Sequence, residues 1–204
     1  MKTFILSVAF LSLLLATNAQ DAVRTYQVSH GKNGPILDSV KLKVDSNTAY
    51  YQKTVKVDSN IKVSMIYLRA LQFMSAKNFT QNYGYEEEGK MIFTTMQDLN
   101  ANATFGGDND DPNPYTVQFA ITIDMKNGRY RYTISNVIFY LPTVNGNRRM
   151  TLYELYDKET GNESRRIQRN AKTIVDSFEK YLVRLTGELY TEIEHKAVIY
   201  GTKF

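Results

Sequence analysis

The chain has no cysteine, no tryptophan, two histidines and four prolines in 204 residues. Without cysteine there is no disulfide scaffold, no thiolate zinc site and no thiol nucleophile. His30 and His195 stand near opposite ends of the sequence, so imidazole chemistry has little to draw on. A serine–histidine–carboxylate centre needs a serine elbow, and no G-x-S-x-G is present. The glycine-rich phosphate cradles G-x-x-x-x-G-K-S/T and G-x-G-x-x-G are missing too, and no cofactor is expected. Charge of neither sign dominates, with 25 Lys+Arg against 21 Asp+Glu and a net charge of +4. That balance supplies no basic stripe for condensing on a phosphate backbone, so nucleic acid is not an expected partner.

What is present is ordinary globular material, 43% hydrophobic and 12% aromatic, enough for one domain with a sizeable core. Its one long apolar run lies at the start. Lys2 is a short positive n-region, Phe4 to Ala16 is apolar apart from serines, and Thr17-Asn18-Ala19 offers a small-residue cleavage site. Residues 1–19 therefore read as a cleaved secretory signal, too short for a membrane span. No transmembrane span is expected after cleavage, and without cysteine the new N-terminus cannot be acylated as a lipoprotein. Cleavage removes Lys2 alone and leaves a net charge of +3. Export without disulfides suits the periplasm of a Gram-negative bacterium, or secretion from it. The N-x-S/T triplets at Asn78, Asn102 and Asn162 read as chance occurrences, and Asp38-Ser39-Val40 is a weak O-glycosylation motif.

Residues 20–49 form a polar leader with a His30–Pro35 loop and short alternating pieces at Thr25–Val28 and Val40–Val44, able to pair with a main sheet. The domain proper, residues 50–204, opens on Tyr50–Val57, β-branched and aromatic and so a strand. Asp58-Ser59 supplies a helix N-cap, and the helix to about Asn78 carries Ile61, Met65, Ile66, Leu68, Leu71, Phe73 and Met74 on more than one face. That predicts deep burial of the helix. Tyr83–Tyr85 and Lys90–Thr95 flank Glu86-Glu87-Glu88-Gly89, a hairpin corner, and Asn100–Pro114 is a polar loop.

The clearest pattern follows. Tyr115, Val117, Phe119, Ile121, Ile123 and Met125 alternate with Thr116, Gln118, Ala120, Thr122 and Asp124. Asn127-Gly128 then forms the favoured type I′ hairpin pair. A two-residue turn sets Met125 against Tyr130, Ile123 against Tyr132 and Ile121 against Ile134. On the opposite face Asp124 meets Arg131 and Thr122 meets Thr133. One face is apolar and the other polar, as a half-covered antiparallel sheet requires. Thr160-Gly161-Asn162-Glu163 has capping-box form, and from there Ile167, Ala171, Ile174, Val175, Phe178, Tyr181, Leu182, Leu185, Leu189 and Ile193 make a long amphipathic helix over 163–195. The expected order is strand, helix, four strands, helix: an α+β fold with one curved antiparallel sheet.

The Lys126-Asn127-Gly128-Arg129-Tyr130-Arg131-Tyr132-Thr133-Ile134 stretch follows an alternating strand, with a capped Met/Leu/Phe helix upstream. Together they resemble a bacterial exported domain of unknown function with a TBP-like fold, over roughly residues 50–140 and, by position only, the last helix. The resemblance implies a curved antiparallel sheet with helices on one face, and it carries no catalytic residues across.

Candidate chemistry is sparse. Asp108, Asp110 and Asp111 form an acidic loop, but a calcium loop starting at Asp108 would want ligands where Pro112 and Phe119 stand. The default there is a solvated loop, and no metal site is expected. Glu86-Glu87-Glu88 reads as a solubilising hairpin tip, since neighbouring strand residues point to opposite faces. Arg165, Arg166, Arg169 and Lys172 cluster at the start of the last helix, where cations oppose the helix dipole unless partnered. Fifteen tyrosines fit half-buried sheet packing better than a ligand surface. The expected function is a non-catalytic binding or interaction module of the cell envelope, with an envelope protein, a glycan or a lipid headgroup as partner. The expected contact residues are Thr122, Asp124, Arg131 and Thr133 on the sheet, with Arg165, Arg166, Arg169 and Lys172 on the helix. The competing expectation is an envelope hydrolase using the acidic-loop carboxylates.

Overall fold

The computed structural model describes residues 21–23, 41–45, 47–101, 113–143 and 146–195. The first half of the chain carries β1 (Asp21–Val23), β2 (Lys41–Asp45), β3 (Thr48–Lys56), α1 (Val63–Ala76), β4 (Thr80–Tyr85) and β5 (Lys90–Ala101). The second half carries β6 (Asn113–Lys126), β7 (Arg129–Thr143), β8 (Gly146–Thr151), α2 (Leu152–Thr160) and α3 (Arg165–His195). All strands join one antiparallel sheet in the order β1-β2-β3-β7-β6-β5-β4. β8 pairs with the second half of β7, beyond the segment that β3 occupies.

The α+β reading holds, with a curved antiparallel sheet and helices on one face. The element count is richer than strand, helix, four strands, helix. β1 and β2 extend the sheet past β3, and β8 with α2 intervene before the last helix. The sequence hides α2 because its nine residues carry only two buried apolar side chains, Leu152 and Leu155.

Register follows the sequence pattern closely. Met125 pairs with Tyr130, Ile123 with Tyr132, Ile121 with Ile134, Asp124 with Arg131 and Thr122 with Thr133. The turn differs from type I′, which needs positive φ at both central residues. Gly128 has φ 68°, whereas Asn127 is not in the left-handed region. Tertiary contacts set this geometry. The Gly128 amide donates to the Ile61 carbonyl and its own carbonyl accepts from the Val57 amide, both at 3.0 Å. A Cβ on Gly128 would stand 3.0 Å from Ser59 Cα. The Glu86–Gly89 corner forms as expected, with Gly89 at φ 59° and its amide donating to the Glu86 carbonyl at 2.9 Å.

Two helix starts are corrected. Asp58 does not cap α1; its carboxylate accepts from the Asn60 amide at 2.8 Å in a turn before the helix. The N-cap of α1 is Lys62, without a side-chain cap, and the Val63 amide donates instead to Asn127 Oδ1 at 3.1 Å. The capping box lies at Thr151 and Glu154 of α2, not at Thr160–Glu163. Thr160 is the last residue of α2, and its hydroxyl is bound back to the Tyr156 carbonyl at 2.9 Å.

The core lies between the sheet's apolar face and the three helices. α3 crosses the middle, flanked by α1 over the β4–β6 side and by α2 over β3, β7 and β8. Phe178 of α3 stands edge-on to Tyr51, Phe119 and Phe139, with centroids 6.1, 5.5 and 5.4 Å away. Ala171, Ile174, Val175, Leu182, Leu185, Leu189 and Ile193 are buried, as their spacing predicts. α1 is less engulfed than its composition suggests: Ile66, Ala70, Phe73 and Met74 are buried, but Leu68 is 39% exposed. Some polar atoms taken into the core are met by hydrogen bonds, whereas the Tyr130 and Tyr132 hydroxyls are buried without one among the described residues. Tyr51 OH donates to buried Glu179 at 2.9 Å, and the buried Arg69 guanidinium donates to the Ile193 carbonyl.

Candidate binding face of the sheet

Alternation turns Thr122, Asp124, Arg131 and Thr133 to the face away from the helices. The strand register makes them a two-by-two block, with Asp124 beside Arg131 and Thr122 beside Thr133. Arg131 donates from Nη2 and Nε to one Asp124 oxygen, at 2.9 and 3.2 Å. Both side chains are open to solvent, so this pair contributes under about 1 kcal/mol and acts chiefly to orient the guanidinium. The block continues onto β3, where Gln52 Nε2 donates to Thr133 Oγ1 at 3.1 Å. Lys43 of β2 donates in turn to Gln52 Oε1 at 3.4 Å. Further along, Thr116 donates to Asp98 at 2.7 Å and Tyr140 to Gln118 at 3.0 Å. The face is thus a lattice of polar side chains tied across strands. Such groups lose little further freedom when a partner settles on them.

A cleft of about 590 Å³ interrupts this face. β3 ends its pairing at Ile134 and β8 begins at Ile138, so the β7 edge between them has no ladder partner. Asn136 occupies that gap at φ 54°, in a bulge where the β6–β7 register slips between Gln118 and Ala120. Ala49, Val137, Ile138 and Leu152 give the cleft apolar walls, with Tyr50 and Arg149 as its larger polar members. The sequence carried a signal for the bulge. Buried β7 positions run Tyr130, Tyr132, Ile134 and then Val137, Phe139, Leu141, a change of parity at one place. Neither the cleft nor Gln52 and Lys43 could be placed without knowing that β3 lies beside β7.

The helix cations lie elsewhere. Arg165, Arg166, Arg169 and Lys172 open α3, on the side of the sheet opposite the block, so the two groups do not form one site. Lys172 pairs with Asp176 at 2.9 Å, one turn along the same helix. The acidic loop residues Asp108, Asp110 and Asp111 lie outside the described residues, as do the signal segment, His30 and the 25–28 piece.

Half of the eight tyrosines on the described strands serve packing. Tyr51, Tyr115, Tyr130 and Tyr132 are buried on the helix-covered face. Burial pushes the Tyr115 and Tyr132 hydroxyls up to about 12, with the nearby Ser177 and Thr186 side chains respectively pulling weakly the other way. Burial, with smaller additions from Tyr132, Tyr190 and Glu194, holds Tyr130 well above the usual tyrosine range. No helix among the described residues is long and apolar enough to cross a membrane.

Comparison with known proteins agrees with this architecture. Residues 51–140 match a domain of unknown function, DUF4468, with TBP-like fold. A TBP-like protein from Parabacteroides distasonis superposes with a TM-score of 0.61 at 10% identity, over 76% of this chain and 97% of its own. A DUF4468 family protein from Bacteroides ovatus superposes with a TM-score of 0.58 at 11% identity, over 76% of this chain and 94% of its own. At such identities the likeness shows the fold alone. No curated protein matches the sequence.

Proposed function

We propose that this chain, whose residues 51–140 match a TBP-like family of unknown function, is a non-catalytic binding module of the bacterial cell envelope. Its contact surface is the sheet face that carries Thr122, Asp124, Arg131 and Thr133. The observation that supports this reading is the cross-strand lattice running from Lys43 through Gln52 to Thr133, beside the Asp124–Arg131 pair. A rigid, polar, partly exposed surface suits reversible contact, because its groups are already ordered and still keep hydrogen-bonding capacity. The envelope assignment rests on the N-terminal signal pattern.

The test is photo-crosslinking from position 122 in the native host, comparing the otherwise wild-type chain with one that also carries Arg131→Ala and Thr133→Ala. One defined adduct is expected, and the two replacements should abolish it. Surface changes of this kind alter stability by only about 0.5 kcal/mol, so Tm should move by a few degrees at most. An adduct that survives the replacements, or a large loss of stability, would assign these residues to the scaffold instead. N-terminal sequencing of the mature protein from the same cells should begin near Gln20; an intact Met1 would remove the envelope assignment.

A further inference from the structure

The strand register crowds positive charge at the hairpin end of the same face. Lys56 of β3 and Lys126 of β6 both pair directly with Arg129 of β7, which sets three cations in a row. The neighbouring row reads Thr54, Arg131, Asp124 and Lys90 across β3, β7, β6 and β5. Directly opposed residues have Cβ atoms about 5 Å apart, and like charges there destabilise the sheet. Asp124 is the sole carboxylate in the two rows, and it is bound to Arg131. Lys56, Lys126 and Arg129 are exposed, and no ion pair reaches them among the described residues. The acidic Glu86–Glu88 corner lines a neighbouring pocket with Lys126, but no ion pair joins them among the described residues, and Lys56 and Arg129 lie outside that lining. The juxtaposition of the three cations is an electrostatic cost that an anion from outside would relieve.

The site also has room. A cavity of about 250 Å³ opens among Thr54, Asp124, Lys126, Arg129, Tyr130 and Arg131. That equals about eight bulk waters, enough for a phosphate and a small group esterified to it. Arg129 and Arg131 are two residues apart on one strand and so about 7 Å apart along it, a spacing that lets two planar guanidinium forks converge on one oxyanion. Asp124 fixes the Arg131 fork and leaves its Nη1 free of that contact. The next row along is Gln52, Thr133 and Thr122, which carries no charge. A polymer of phosphates would need the positive track to continue; a single compact anion does not.

We propose that the end of the β6–β7 hairpin is a binding site for a phosphate monoester, held by Arg129 and Arg131 with Lys56 and Lys126 on either side. The site rests on the binding reading of this face and names a ligand class for it. The monoester has two sources, a small soluble phosphorylated molecule or the headgroup of phosphatidic acid in a membrane.

Calorimetry with glycerol 3-phosphate, and flotation with phosphatidylcholine vesicles with and without phosphatidic acid, test both sources on the full mature chain. Binding that weakens with salt is expected in at least one arm, and the arm identifies the source. The variant Lys56→Gln/Lys126→Gln/Arg129→Gln should lose affinity by at least about tenfold, since charge-assisted contacts are removed. Its Tm without ligand should be equal to or above that of the wild type, because repulsion is removed with the charges. A merely structural role would lower it. No binding in either arm, affinity retained by the variant, or equally tight binding of polyglutamate overturns the proposal. None of the three replaced residues belongs to the Thr122/Arg131/Thr133 test, so loss of phosphate binding and loss of partner capture are separately visible.

Discussion

Asn127 caps a helix that begins sixty-four residues before it, through the 3.1 Å bond from the Val63 amide. In a hairpin read alone, asparagine before glycine serves the turn. Here its side chain satisfies one of the free amides at the start of α1, a position where the sequence offers Asp58 and Ser59 and the structure uses neither. Replacing Asn127 by alanine should therefore cost about 1 kcal/mol in denaturant unfolding, the ordinary worth of an N-cap. Asn127→Asp keeps an acceptor beside the helix dipole and should cost less. Equal losses for the two variants would show that the turn, and not the cap, is what asparagine supplies.

At the scale of elements, α3 owes its place to one face-filling aromatic. Phe178 is fully buried and meets rings from β3, β6 and β7, so it ties the helix to three strands at once. Phe178→Ala should destabilise by about 3–5 kcal/mol, combining lost transfer energy with a cavity the surrounding rings cannot close. Phe178→Leu should cost clearly less. Chemical denaturation with an unchanged m-value checks both; a cost near zero for alanine would mean that the helix docks without this contact. The amphipathic spacing made α3 legible. α2 was not, since a nine-residue helix with two buried side chains has too short a stripe to stand out, and the Thr151/Glu154 capping box competes with a similar pattern at Thr160–Glu163.

Across the whole molecule, the buried tyrosines make folding sensitive to alkali. Tyr115 and Tyr132 are raised to about 12 and Tyr130 is well raised, chiefly by burial, against an unfolded value near 10. The folded state then holds protons that the unfolded state releases. Stability is complete below pH 10 and falls as pH rises from 10 towards 12, by up to about 1.4 kcal/mol per pH unit for each such tyrosine. Urea unfolding at stepped pH should show that decline, and Tyr132→Phe should make it shallower. Tyrosinate absorbance from these rings near pH 10, with the fold intact, would contradict it.

Local chemistry accounts for much of this protein without reference to tertiary contacts. Period-two alternation and the Asn127-Gly128 pair set the β6–β7 register from the turn as far as Ala120, because a one-residue slip would turn every apolar side chain to water. The spacing of Ile174, Phe178, Leu182 and Leu185 likewise fixed the face that α3 buries. Strand neighbours far apart in sequence are different in kind. Nothing local places β3 against β7, since the two strands are far apart in sequence and any exposed strand edge offers the same backbone groups. The pairing nonetheless creates the row of Lys56, Arg129 and Lys126, the Gln52–Thr133 link and the gap at Asn136. The sequence alone determined the two faces of the sheet, because side-chain alternation is a property of a single strand. Only the tertiary structure decided which side chains became neighbours on them, because adjacency across strands is a property of how the chain closes on itself.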